Sequence, residues 1–203
     1  MATNPKNKEI VNQINNAFDF MQKLYHESSY LIKEIEGQLG ESDYRFKIIK
    51  PGGYGVTSRS SSGLESNNVN YWLMRKLSVA FVEGSDEEIK KSQNITIIDE
   101  ELKVLYFRVV LNEKGASEPF LIFGVFYSIK QLKEWVKKFE QLMGVIEYTD
   151  KKLFDQFPNI DYQDATFRIK GKFKRVDLLD INSSTELIEK VINPAIKLYE
   201  RID

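Results

Sequence analysis

The chain contains no cysteine and a single histidine, His26, among its 203 residues. Disulfides are therefore excluded, and a zinc site built from histidine and cysteine cannot be assembled within one copy. Any metal would have to sit on carboxylates, the ligands of magnesium, manganese and calcium. Proline is scarce at 5 residues, and no Pro/Gly/Ser linker, internal repeat or low-complexity tract divides the chain. No apolar run approaches the roughly 18 residues of a membrane span. The opening Met1-Ala2-Thr3-Asn4-Pro5-Lys6 leads into a polar, amphipathic stretch without a secretory h-region. These absences point to a cytoplasmic protein with no membrane partner. Neither sign of charge is in excess: 29 Lys+Arg against 30 Asp+Glu give a formal net charge of -1. No global field draws the protein to a polyanion, so any basic surface must be local.

What is present suffices for a core. Hydrophobic residues make up 42% and aromatics 12% of the chain, a composition that folds unaided. The length suits one domain, 1–203.

The first organised feature is a heptad seam. Ile10, Ile14, Ala17, Met21, Leu24, Ser28, Leu31 and Ile35 follow one another in alternating steps of 4 and 3, which places them on one side of a long helix from about 8 to 38. Val11, Phe18, Tyr25 and Ile32 widen the stripe, so it suits packing on a sheet or bundle as well as on a second copy. Gly37 and Gly40 mark its end.

A short strand, 44–49, and a glycine- and serine-rich loop, 51–63, come next. Strands are then expected at 69–83, 94–98, 103–111 and 119–127, joined by polar turns as an antiparallel meander. A second helix is expected over 128–143, with Ser128 as its cap and Ile129, Leu132, Trp135, Val136, Phe139 and Leu142 on one stripe. A strand at 144–148, a basic strand at 166–178 and a last helix from 183 to about 201 complete the reading. Ser183 and Glu186 have capping-box spacing, and Pro194 should kink that helix near Ile192 and Asn193. The expected fold class is α+β: an antiparallel meander sheet with a long N-terminal helix, an inserted helix and a C-terminal helix.

One segment carries a chemical hint. In Phe167-Arg168-Ile169-Lys170-Gly171-Lys172-Phe173-Lys174 every second residue is a cation, so Arg168, Lys170, Lys172 and Lys174 share one strand face at roughly 6 to 7 Å intervals. Lys130, Lys133, Lys137 and Lys138 of the expected inserted helix are candidates for the same patch, as an anion-binding surface for nucleic acid or another polyanion. Phe167 and Phe173 fall in the opposite phase and face the core, which disfavours base reading. Two plainer explanations compete: lysines that guard an exposed edge strand, and cations paired with an acidic neighbouring strand.

Other constellations are weaker. Glu101-Leu102-Lys103 has the E-x-K form of metal-dependent nucleases, with Asp86, Asp99 or Glu34 as further carboxylates and magnesium as the metal. Against it, Glu101 falls in a tight turn and the same strand face continues as Leu105, Phe107 and Val109. Gly52, Gly53 and Gly55 lack the GK[ST] ending of a phosphate loop. His26 has no nucleophile placed by motif and reads as a surface residue. With no catalytic set and no cofactor motif, the expectation is a non-enzymatic interaction protein. Its long helix serves self-association or docking on another protein, with nucleic-acid or polyanion binding through the basic strand as the alternative.

Overall fold

A computed structural model describes residues 5–49, 75–83, 102–113, 116, 118–133, 146 and 152–202. The chain divides into two compact units, Met1–Ile35 and Glu36–Asp203.

Helix α1 (Pro5–Gly40) accounts for the described part of the first unit and ends inside the second. Burial rises along it. Every residue from 9 to 20 is exposed, whereas Ser28, Ile32, Ile35 and Leu39 are buried. Ser28, at a seam position, donates its hydroxyl to the Leu24 carbonyl at 2.8 Å, which lets a polar side chain be buried at little cost.

The second unit is built on an open antiparallel sheet of six strands: β1 (Lys47–Ile49), β2 (Lys76–Val82), β3 (Val104–Val110), β4 (Phe120–Gln131), β5 (Asn159–Gln163) and β6 (Phe167–Asp177). Their order is β1-β2-β3-β4-β6-β5. β2, β3 and β4 pair in succession as an antiparallel meander, β2 lying directly beside β3 with no strand from 94–98 between them, and β1 adds to the free side of β2. β6 then adds to β4, and β5 closes the sheet as its hairpin partner. The β5–β6 turn is tied by Asp164, whose carboxylate accepts the backbone N–H groups of Thr166 at 2.6 Å and Phe167 at 3.1 Å, as well as the Thr166 hydroxyl.

Both faces of the central strands are buried, as continuous apolar runs demand. One face carries Ala80, Val82, Tyr106, Val110, Phe120, Ile122, Phe126, Phe167, Ile169 and Phe173 in a single core cluster. There the Phe126 and Phe173 rings lie 4.8 Å apart and Phe154 sits 5.5 Å from Phe173. Gly124 and Gly171 leave the room: a methyl on Gly124 would stand 2.1 Å from the Lys172 carbonyl oxygen, and one on Gly171 would stand 2.5 Å from the Phe173 ring. The other face carries Val79, Phe81, Leu105, Phe107, Val109, Leu121, Phe123 and Val125, all buried.

At the C-terminal end, α2 (Ser184–Leu187) passes through a π-helical turn, Ile188–Ile192, into α3 (Asn193–Glu200), which packs against β4. Ser183 caps α2, its hydroxyl accepting the Glu186 N–H at 3.2 Å. Glu186 reaches back to the N–H of Asn182 at 2.8 Å rather than to that of Ser183. The irregularity expected from Pro194 is thus a wide turn just upstream of it, where Asn193 donates to Ile188 five residues back.

Three local expectations need correction. Residues 128–131 are strand rather than the start of a helix, because β4 continues through a bulge at Ser128, which adopts φ 48. The rest of the expected helix, 134–143, lies outside the described residues. Ile146, expected in a strand, is helical and buried. β5 occupies 159–163, between Pro158 and the basic strand, where the sequence predicts no strand. The strand at 94–98 and the loop at 51–63 lie outside the described residues.

Candidate cationic face of the sheet

The alternation in β6 is realised in space. Phe167, Ile169, Gly171 and Phe173 are buried, while Arg168, Lys172 and Lys174 are exposed and Lys170 is half-buried. The cations lie on the sheet's second face, where their neighbours on β4 are Phe123 beside Lys174, Val125 beside Lys172 and Tyr127 beside Lys170. That face therefore changes character between adjacent strands, from apolar on β4 to cationic on β6.

The bulge at Ser128 extends the row. Between Tyr127 and Lys130 the register advances three residues on β4 against two on β6, so Lys130 stands opposite Arg168. One extra residue inverts the parity of the strand beyond it. Ile129 is turned into the core at 0% exposure and Lys130 joins the cations. Lys133 follows just past the strand end, exposed, with its N–H on the Thr166 carbonyl. Lys137 and Lys138 lie outside the described residues.

On the far side, β5 places Asn159 opposite Lys172, Asp161 opposite Lys170 and Gln163 opposite Arg168. Asp161 is the one carboxylate that β5 gives to this face. It pairs with Arg168 at 3.4 Å, with both side chains about half exposed, so the bridge contributes little, at most about 1 kcal/mol. Among the described residues Lys170, Lys172 and Lys174 have no ion-pair partner. Since β6 lies between β4 and β5, its lysines do not guard an edge. Pairing with an acidic strand accounts for one cation of the row.

Arg175 and Asp177 stand apart from this strip. Arg175 belongs to the opposite face, stacked 3.8 Å over the Phe120 ring and bridged to Asp177 at 3.2 Å.

The residues of the E-x-K motif are not brought together as a described site. Glu101, Asp86 and Asp99 lie outside the described residues. The Lys103 ammonium donates to the Ile202 carbonyl and lies 5.3 Å from the Tyr199 ring centroid. Tyr199 in turn donates to Glu83 at 3.0 Å and meets Phe46 edge-on at 4.9 Å. Burial, then the Glu83 carboxylate and its charge, push the Tyr199 phenol far above its ordinary range. His26 is exposed and stacks on Tyr30 at 6.4 Å. Among the described residues no group of three or more histidine or acidic side chains is placed to hold a metal, and no helix is long and apolar enough to cross a membrane.

Two residues are not flagged by the sequence, Tyr127 on this face and Arg108 on the opposite one. Tyr127 ends an apolar run and reads as core, yet it stands half-buried on the cationic face. Arg108 is 2% exposed within β3, its guanidinium 4.9 Å from the Phe154 ring centroid; its place in the run from Val104 to Val110 is the one visible signal. Comparison with family models, curated proteins and solved structures yields no match.

Proposed function

We propose that this chain is a non-enzymatic interaction protein that associates with a second copy of itself through the exposed part of α1. The observation that carries this reading is the stretch 9–20, in which Ile10, Val11, Ile14, Phe18 and Phe20 are all exposed, Phe18 at 72% and Phe20 at 66%. A helix that stands in water is normally rich in charged residues and strong helix formers. From Ile10 to Phe20 there is one charge, Asp19, beside Asn12, Asn15 and Asn16, and asparagine is a poor helix former. Packing against another surface, rather than propensity, is what would hold such a segment helical.

A protein surface suits it better than a lipid one. Membrane-lying helices carry Lys and Arg on the polar face, and none occurs from Glu9 to Gln22. The heptad steps suit a helix of the same kind. Ile10, Val11, Ile14 and Phe18 share one side of the helix, Phe20 facing away from them, and offer roughly 400 Å² per copy, or about 800 Å² in a pair, the scale of a weak, reversible interface. The test is the molar mass of the full chain by light scattering at about 10 to 100 μM. A dimer is expected, with Phe18→Asp returning it to monomer while its circular dichroism is retained. A monomeric parent chain across that range refutes the proposal.

A further inference from the structure

We propose that the strip formed by Arg168, Lys170, Lys172 and Lys174 of β6 with Lys130 and Tyr127 of β4 binds single-stranded nucleic acid. Three observations carry it. The first is concentration of charge: five cations share one sheet face of a chain whose formal net charge is -1. One carboxylate, Asp161, stands among them from β5. Like charges on one face repel, and among the described residues neither edge protection nor the acid of β5 accounts for Lys170, Lys172 and Lys174.

The second is spacing. Alternate residues of a strand recur at roughly 6 to 7 Å, which matches the step between phosphates of an extended single strand. A duplex presents its phosphates on a curved, two-sided surface instead, which a straight row of this length meets at few points. The third is Tyr127, a half-buried ring set beside Lys170 on the same face. Base stacking on an aromatic side chain combined with cations along the backbone is how single strands are held without regard to sequence. Asn159 and Gln163 flank the row on β5 and supply amide donors and acceptors for sugar and phosphate oxygens. Phe167 and Phe173 remain in the core at 0% and 4% exposure, so one base at a time can be stacked and no base-specific code is expected.

The experiment is fluorescence anisotropy of a labelled oligothymidylate of about 12 nucleotides with the full chain, from about 50 to 200 mM salt. Binding is expected to weaken with a log–log slope of about -3.5, as five phosphate contacts to a single strand require. The pair Lys170→Glu with Lys172→Glu should weaken it more than about 100-fold, and the milder Lys170→Gln with Lys172→Gln should flatten the slope by about 1.4. Tyr127→Leu should cost about tenfold at an unchanged slope. Absence of binding at the lowest salt overturns the proposal, as does binding that survives the glutamate pair in a folded chain. A duplex bound as tightly as the single strand, or a Tyr127→Leu chain equal to the parent, overturns the single-strand assignment in favour of a general polyanion surface.

Discussion

Gly124→Ala is a small change aimed at a point where β6 leaves no room for a side chain on β4. The new methyl would stand 2.1 Å from the Lys172 carbonyl oxygen, 2.7 Å from the Phe173 Cα and 2.7 Å from its ring. Two of these neighbours are backbone, so no rotamer change relieves the contact. The strands must separate by about 1 Å to restore van der Waals distance. Overpacking of a core costs about 1 to 3 kcal/mol, and strained ladder bonds add about 1 kcal/mol for each one lost. The displaced strand also carries Phe173, whose ring touches Phe126, Phe154 and Tyr106. A loss of about 3 kcal/mol is therefore expected, which at a slope of about 2 kcal/mol per molar moves the urea midpoint down by about 1.5 M. Gly37→Ala is the matched control. It sits in α1 with nothing within 4 Å of the added methyl, and alanine there should stabilise by about 0.5 to 1 kcal/mol. Urea titrations followed by fluorescence and circular dichroism decide the matter. If Gly124→Ala unfolds within about 0.25 M of the parent chain, the close approach of the two strands is not what glycine is there for.

Two further outcomes follow from titratable groups. The Tyr199 phenol has a folded pKa raised above its unfolded value, so its stabilisation is complete below about pH 10 and is lost as pH rises above that. Tyr199→Phe should cost about 1 kcal/mol at pH 7 and flatten the decline in stability between about pH 10 and 12; an unchanged alkaline limb refutes the Glu83 contact. For Asp164, partial burial pushes the pKa up, but bonds from the Thr166 hydroxyl, the Thr166 and Phe167 N–H groups and the Tyr162 hydroxyl outweigh it and leave the pKa lowered. Its stabilisation is present above about pH 4 and is lost as pH falls through the depressed value. Asp164→Ala should accelerate amide hydrogen exchange in β5 and the start of β6 while sparing β2 and β3, and uniform exchange across the sheet contradicts that role.

The parts of the fold that alternate or repeat cleanly are legible in the sequence, and the parts that break a period are not. β6 can be placed because Phe167, Ile169 and Phe173 keep one phase and the cations the other. The end of β4 is misread for a physical reason. An extra residue at Ser128 inverts the strand's parity, so Ile129, Leu132, Trp135 and Val136 fall into helical steps although 128–131 is extended. Lys130 consequently belongs to the cationic row through a strand rather than through a helix. β5 escapes notice because an edge strand needs few buried side chains: Ile160 is buried at 2% and Tyr162 only partly, and the polar residues between them read as loop. Tyr127 is misjudged since a tyrosine at the end of an apolar run gives no sign of which face it takes.

The parity of β6 has a genetic consequence. Its odd positions from 167 to 173 are buried in the core and its even positions from 168 to 174 are exposed or half-buried, so one short stretch of codons answers to two different selections. A saturation library across it should sort by the remainder on division by two. Polar variants at odd positions should vanish from the soluble fraction, while even positions should accept nearly any residue without loss of yield and register their change only in what the protein can hold.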